Sequence, residues 1–247
     1  MLRTVAWRPC APLLLAAVSP QLPATHAALR DEADAVVAAT ADADVTVLLA
    51  AGSRSVVYTA AHADLAGLGR PDLTASREGD PERVAAFAST LGLPLASAAL
   101  PLDLAVLALT TAPQQSVVAV EVDAQADPAT LATLGARLVA AAAATDTAVL
   151  AAADGSAALT EKAPRHLHPH AADWQAAYAA ALGAGDVAAL AALGPHAAAE
   201  VAARGWACAL VALHAATQAG LPPEVRTATA PRGVGYVIAV APARAAA

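Results

Sequence analysis

Short apolar runs bounded by turn residues recur along the chain, and between them apolar positions return every three or four residues. The runs read as buried strands: Thr4 to Trp7, Val45 to Ala51 (VTVLLAA), Ser116 to Val122 (SVVAVEV), Thr147 to Ala153 (TAVLAAA) and Val234 to Val240 (VGYVIAV). Helical stretches lie between them. One runs from Thr25, read as its cap, to about Ala39. Asp80-Pro81-Glu82 combines an N-cap with a proline in the first turn, and Gly92 is the natural stop. Asp127-Pro128 opens a third helix to about Ala144, with Leu131, Leu134 and Leu138 on one face. Leu100 to Thr111 is ambiguous, with Asp103 able to cap a short buried helix. Gly52-Ser53-Arg54-Ser55 leaves the second strand and continues as a polar loop through His62 and Asp64 to Gly69. After the fourth strand come alanine-rich helices punctuated by Gly183, Gly194, Gly205 and Gly220, with Asp173 and Asp186 as caps. Strands alternating with helices predict an α/β fold: a single three-layer domain over residues 1–247, its mostly parallel central sheet flanked by helices.

Composition sharpens this further. Apolar residues make up 58% of the chain but aromatics only 3%, so the core must be built from Ala, Val and Leu. A net charge of −7 without a Lys/Arg cluster argues against a nucleic-acid partner. Once alanine is discounted, no run is long and apolar enough for a membrane span. Cys10 and Cys208 form no CxxC or zinc-finger spacing and fit a reducing cytoplasm, where the protein is expected to reside. Arg3, Arg8 and the apolar Leu13 to Val18 imitate a secretory signal, but Pro9, Pro12 and Pro20 hem that stretch, and the mature-protein reading is preferred.

Candidate chemistry concentrates after the fourth strand. Asp154-Gly155-Ser156, then Thr160 to Pro164 (TEKAP), then His166, His168 and His170 follow a buried run directly. In open α/β sheets the loop leaving the carboxyl end of a strand is where ligands bind. Asp154 and Ser156 are the candidate catalytic pair, able to orient a ligand; ordinary turn chemistry explains the same residues. Glu161, Lys162 and His166 fall on the expected pocket rim. The three alternating histidines share a face of an extended chain, yet Pro169 intervenes and no neighbouring ligand completes a metal set. No GxSxG, P-loop or HExxH is present, and Gly233-Val234-Gly235 precedes a strand and is no dinucleotide fingerprint.

Three pieces together resemble the catalytic-subunit-B family of class III extradiol ring-cleavage dioxygenases, especially a bacterial branch of it. They are Ala6 to Leu15 (AWRPCAPLLL), Ala153 to Ala157 with Thr160 to Pro164, and Ala230 to Val237 (APRGVGYV). The resemblance runs nearly end to end and implies a mononuclear iron(II) site acting on a catecholic substrate with dioxygen. Its metal would be held by two histidines and a carboxylate. Cys10 stands at the position of the first iron-binding histidine, and Ala157 where other members carry a catalytic histidine. Carried over to this chain, the candidate metal set is Cys10 with His62 as second histidine and Glu200 as one choice of carboxylate, the softer thiolate shifting preference from iron toward zinc or copper(I). The other readings are a catalytically silent relative binding a small ligand or protein partner, and a non-oxygenase metal enzyme. A small-molecule ligand is expected in each enzymatic reading, and self-association is left open.

Overall fold

The computed structural model describes residues 1–77 and 79–242. Ten strands and eight α-helices alternate among them: β1 (Leu2–Arg8), α1 (Ala24–Ala38), β2 (Val45–Gly52), β3 (Val56–Tyr58), β4 (Ala61–Leu65), β5 (Arg70–Arg77), α2 (Pro81–Leu91), β6 (Leu95–Ala96) and α3 (Leu102–Thr110). The second half adds β7 (Ser116–Asp123), α4 (Pro128–Ala141), β8 (Thr147–Ala152), α5 (Ala171–Ala184), α6 (Val187–Ala192), α7 (Pro195–Glu200), α8 (Trp206–Gln218), β9 (Glu224–Thr229) and β10 (Tyr236–Pro242). Eight strands form one sheet in the order β6-β3-β7-β2-β8-β1-β10-β9, and β4 pairs with β5 separately. The four central strands β7, β2, β8 and β1 run parallel; β3 and β10 flank them antiparallel. All four parallel strands are almost wholly buried, as strands covered on both faces must be.

Alternate residues of each strand feed two cores. Val5, Trp7, Val47, Val120 and Val149 point to the layer of α2, α4, α5 and α8; Ala6, Leu48, Ala119 and Leu150 point to α1, α3 and the β4–β5 hairpin. The result is the three-layer arrangement the periodicity predicts. The abundant alanine has a structural consequence in α8, where ten residues from Trp206 to Ala216 are buried and the helix is apolar nearly all round. Small side chains let α8 lie close to both the sheet and α4. Gly135 of α4 faces His214 and Val211 so closely that an added Cβ would stand 2.6 Å from His214 Cβ and 2.8 Å from the Val211 carbonyl oxygen.

Several sequence expectations need correction. The polar stretch after β2 is not a loop to Gly69: it holds β3 and β4, and β5 follows from Arg70, with His62 and Asp64 on the outward positions of β4 giving the stretch its polar character. Edge strand β9 was not expected either; its burial is shallow and its residues polar. Asp80, Asp127 and Asp186 do cap α2, α4 and α6 by accepting backbone N–H bonds. Thr25, Asp103 and Asp173 do not cap, because each lies inside its helix behind Pro23, Pro101 or His170 at the N-cap.

The α4–α8 contact sets two effects against each other. Gly135→Ala gains about 1 kcal/mol of helix propensity but forces a collision with a Cβ and a backbone oxygen, an overpacking cost of about 1–3 kcal/mol. The expected outcome is net destabilisation, read as a lower urea midpoint at unchanged slope; an unchanged or raised midpoint would show that α8 can move away freely.

Candidate functional site

β1 and β8 are neighbours in the sheet, with Arg8 opposite Ala152, so both chains leave the sheet at the same end. The Ala153 N–H donates to the Arg8 carbonyl at 2.8 Å, and the Cys10 N–H donates to Asp154 Oδ2, also at 2.8 Å. From there the Asp154–Ser156 loop is knitted to two other elements. The Gly205 N–H reaches the Asp154 carbonyl at 2.8 Å, Gly155 N–H reaches the Gly235 carbonyl at 3.0 Å, and Gly235 N–H returns to the Ser156 carbonyl at 2.7 Å. Gln175 of α5 accepts the Ser156 N–H at 2.8 Å, and its amide fills the space that a Cβ on Gly155 or Gly235 would need. Ser156 is fully buried; its hydroxyl donates to the Val201 carbonyl at 2.8 Å and accepts the Ala158 N–H at 3.1 Å. That hydroxyl is spent on the turn, the structural half of the sequence reading.

Asp154 sits differently. Its carboxyl is pushed up to about 6, first by burial and then by the charge of Asp103; the Cys10 N–H, Arg204 and Arg8 pull the other way without prevailing. Desolvation thus wins over a charge-assisted hydrogen bond. Asp103, buried near the start of α3, is itself raised by burial and held in part by Arg204, whose Nη2 lies 2.9 Å from Asp103 Oδ2. On the same side of the sheet Arg8 has no exposed surface, and none of its three side-chain nitrogens has an acceptor among the described residues. Burial lowers its pKa, and the fields of Cys10, Asp34 and Asp154 oppose that. Burial, then Asp154 and Asp103, push the Cys10 thiol up, and Cys208 follows for similar reasons. Tyr236, bridged to Asp154 across the backbone, is pushed up to about 12 by burial and the nearby carboxyl. The buried Tyr178 hydroxyl also lacks a partner among the described residues.

The proposed metal set does not assemble. Cys10 is buried at the exit of β1; His62 is exposed on β4, its Nδ1 3.1 Å from the Ser76 hydroxyl; Glu200 ends α7 and lies 3.5 Å from His196. Among the described residues no three His, Cys, Asp or Glu side chains group closely enough to hold a metal ion. The chemistry of the cluster disagrees with iron or zinc as well. Two guanidiniums already bring positive charge to Asp154 and Asp103, and the burial that pushes the Cys10 thiol up works against a charged sulfur there. Glu161 pairs with His166 at 3.0 Å on the surface, and Glu161 and Lys162 line a shallow depression with Thr160 and Arg232. These rim residues do not enclose Asp154.

A deeper crevice opens over the same end of the sheet, with a volume of about 580 Å³. Ala124 and Gln125 after β7, Ala157 after β8, and Glu200, Arg204 and Trp206 from the α7–α8 region form its walls. Arg204 connects it to the buried cluster through Asp103. Sequence reasoning missed Arg8, Asp103, Arg204, Gln175 and Tyr236 as parts of this region. Arg8 alone carried a signal: a charged residue closing an otherwise apolar strand run, just before a proline.

These features define a mixed α/β domain with a charged cluster and a crevice at the carboxyl ends of its parallel strands. No family model and no curated protein matches the chain. Among solved structures, an uncharacterized protein from Escherichia coli K12 is similar in fold, with a TM-score of 0.66 and 12% sequence identity over 96% of this chain and 99% of the other. At that identity the likeness speaks for the fold alone. No helix among the described residues is long and apolar enough to cross a membrane.

The Asp154 carboxyl gives the cluster a pH signature. Its folded value of about 6 lies above the ordinary 3.8, so the folded chain holds the proton more tightly than the unfolded one. This group therefore favours folding at low pH, and its contribution is lost as pH rises through the window between those two values. Asp154→Asn, which keeps an acceptor for Cys10, is expected to flatten that part of the stability-versus-pH curve and to match or exceed the wild type at pH 7. A curve of unchanged shape in urea titrations would refute the assignment.

Proposed function

We propose that this protein is a metal-free relative of the class III extradiol dioxygenases that binds a small molecule in the crevice above its strand ends instead of cleaving a catechol ring. One observation carries the reading. Where the resemblance would put the first iron ligand, Cys10 is buried with its backbone N–H bonded to Asp154, and Arg8 and Arg204 supply the positive charge around the carboxyls. A divalent cation entering there would meet two guanidiniums, while His62 and Glu200 stand on other elements. The crevice, by contrast, has the size and mixed polar and apolar lining of a small-molecule site. Two buried free cysteines agree with a cytoplasmic setting.

Anaerobic iron(II) titration of tag-free protein beside Cys10→Ala tests this. The expected result is no stoichiometric binding that depends on Cys10, with any weak binding abolished when His166, His168 and His170 are replaced, and no oxygen uptake with catechol. One iron per chain, lost in Cys10→Ala and accompanied by oxygen uptake, would restore the dioxygenase reading.

A further inference from the structure

The crevice carries information about its ligand, and the inference rests on reading it as a binding site. Four polar side chains line it: Gln125, Arg165, Glu200 and Arg204. Their commitments differ. Arg204 is tied to Asp103 at 2.9 Å, and Asp103 lies behind it, off the lining. Glu200 is turned toward His196, 3.5 Å away. Arg165 makes no side-chain hydrogen bond or ion pair among the described residues, although its backbone N–H is fixed to the Ala157 carbonyl at 3.2 Å. The chain therefore holds the base of Arg165 in place and leaves its guanidinium free at the mouth. The first turn of α8, Trp206 and Ala207, forms part of the same wall, and Gly205 at its N-cap offers no side-chain acceptor, so the positive end of that helix adds to the two guanidiniums. The rest of the lining is alanine and proline, with Pro164, Pro195, Ala198, Ala199 and Ala203 among them.

The geometry points to an amphiphilic organic anion as the ligand: an oxyanion head held by Arg165 with Arg204, and a short apolar body against the alanine and proline wall. A guanidinium without a partner offers paired donors that match a carboxylate or a phosphate. Glu200 is the one carboxylate on the lining, and it opposes such a head, which makes the charge argument testable from both sides.

The test uses the full chain at low salt with hexanoate, hexyl phosphate and neutral hexanamide, followed by ¹⁵N NMR shifts of the Trp206 indole and the Trp206 and Ala207 amides. At least one anion should bind at least tenfold more tightly than hexanamide, and raised salt should narrow the gap. Arg165→Gln should erase the preference, Arg165→Lys should keep part of it, and Glu200→Gln should strengthen anion binding. Arg165 has no structural partner, so its variants should fold; an unchanged urea midpoint checks this. Whichever anion binds more tightly tells carboxylate from phosphate. Equal binding of hexanamide and the anions would overturn this inference and leave the crevice a binding site. No shift from any probe would overturn the inference and count against the crevice itself.

Discussion

The bond from the Cys10 N–H to the Asp154 carboxyl is the constraint on which this end of the molecule depends. It ties the exits of the two central strands β1 and β8, and the backbone of the same loop is then bonded to the start of α8 at Gly205 and to the approach to β10 at Gly235. Four elements distant in sequence are thereby registered against one short loop. Such a knot needs backbones to approach within hydrogen-bond distance, and Gly155 and Gly235, with the Gln175 amide wedged against both, make room for it. The bond is maintained although burial works against its charge, since the carboxyl sits near 6. A group that costs stability where a neutral isostere would not is what a functional cluster tends to look like.

The alanine content and this knot are related. With few aromatics to fill space, layers must pack close, and α8 manages this with Ala207, Ala209, Ala212, Ala215 and Ala216 turned inward. Close packing brings α8 near enough for Trp7 Nε1 of β1 to reach the Ala209 carbonyl at 3.4 Å and for Trp206 Nε1 to reach the Leu190 carbonyl at 2.8 Å. Trp7 thus pins the sheet to α8, and Trp206 pins α8 to α6. The position of Arg204, just before α8, follows from the same packing, and through Asp103 it links the crevice to the buried carboxyls.

The layers were legible in the sequence because buried parallel strands are continuous apolar runs, and the five runs read as strands became β1, β2, β7, β8 and β10, each shifted by at most two residues. Helix starts were legible where an aspartate precedes a proline, as at Asp80 and Asp127, since cap and proline act locally. Asp103 shows the limit. A proline one position before the helix displaced it from the cap, and its real partner, Arg204, is about a hundred residues away. The half-exposed strands β5 and β9 carry polar residues at most positions and leave little periodic signal, while β4 (AHADL) does alternate but is only five residues long. At the candidate site, the sequence singled out the Asp154 loop but not the company Asp154 keeps, because Arg8, Asp103, Arg204 and Tyr236 come near it only through the tertiary fold.

Arg8 is the residue that most resists a purely structural explanation. A buried guanidinium without a hydrogen-bonded acceptor is expensive, and an apolar residue of similar size would ordinarily serve the fold as well or better. Its place beside Asp154, on the face shared by Asp34 and Asp103, means that the cluster holds cations and carboxyls in rough balance. Positive charge supplied by side chains differs from a bound ion in one respect that matters for function. It cannot accept an electron pair from oxygen or a substrate as a Lewis acid; it acts through hydrogen bonds and field alone. That restriction is compatible with recognising an anion and orienting it over the strand ends.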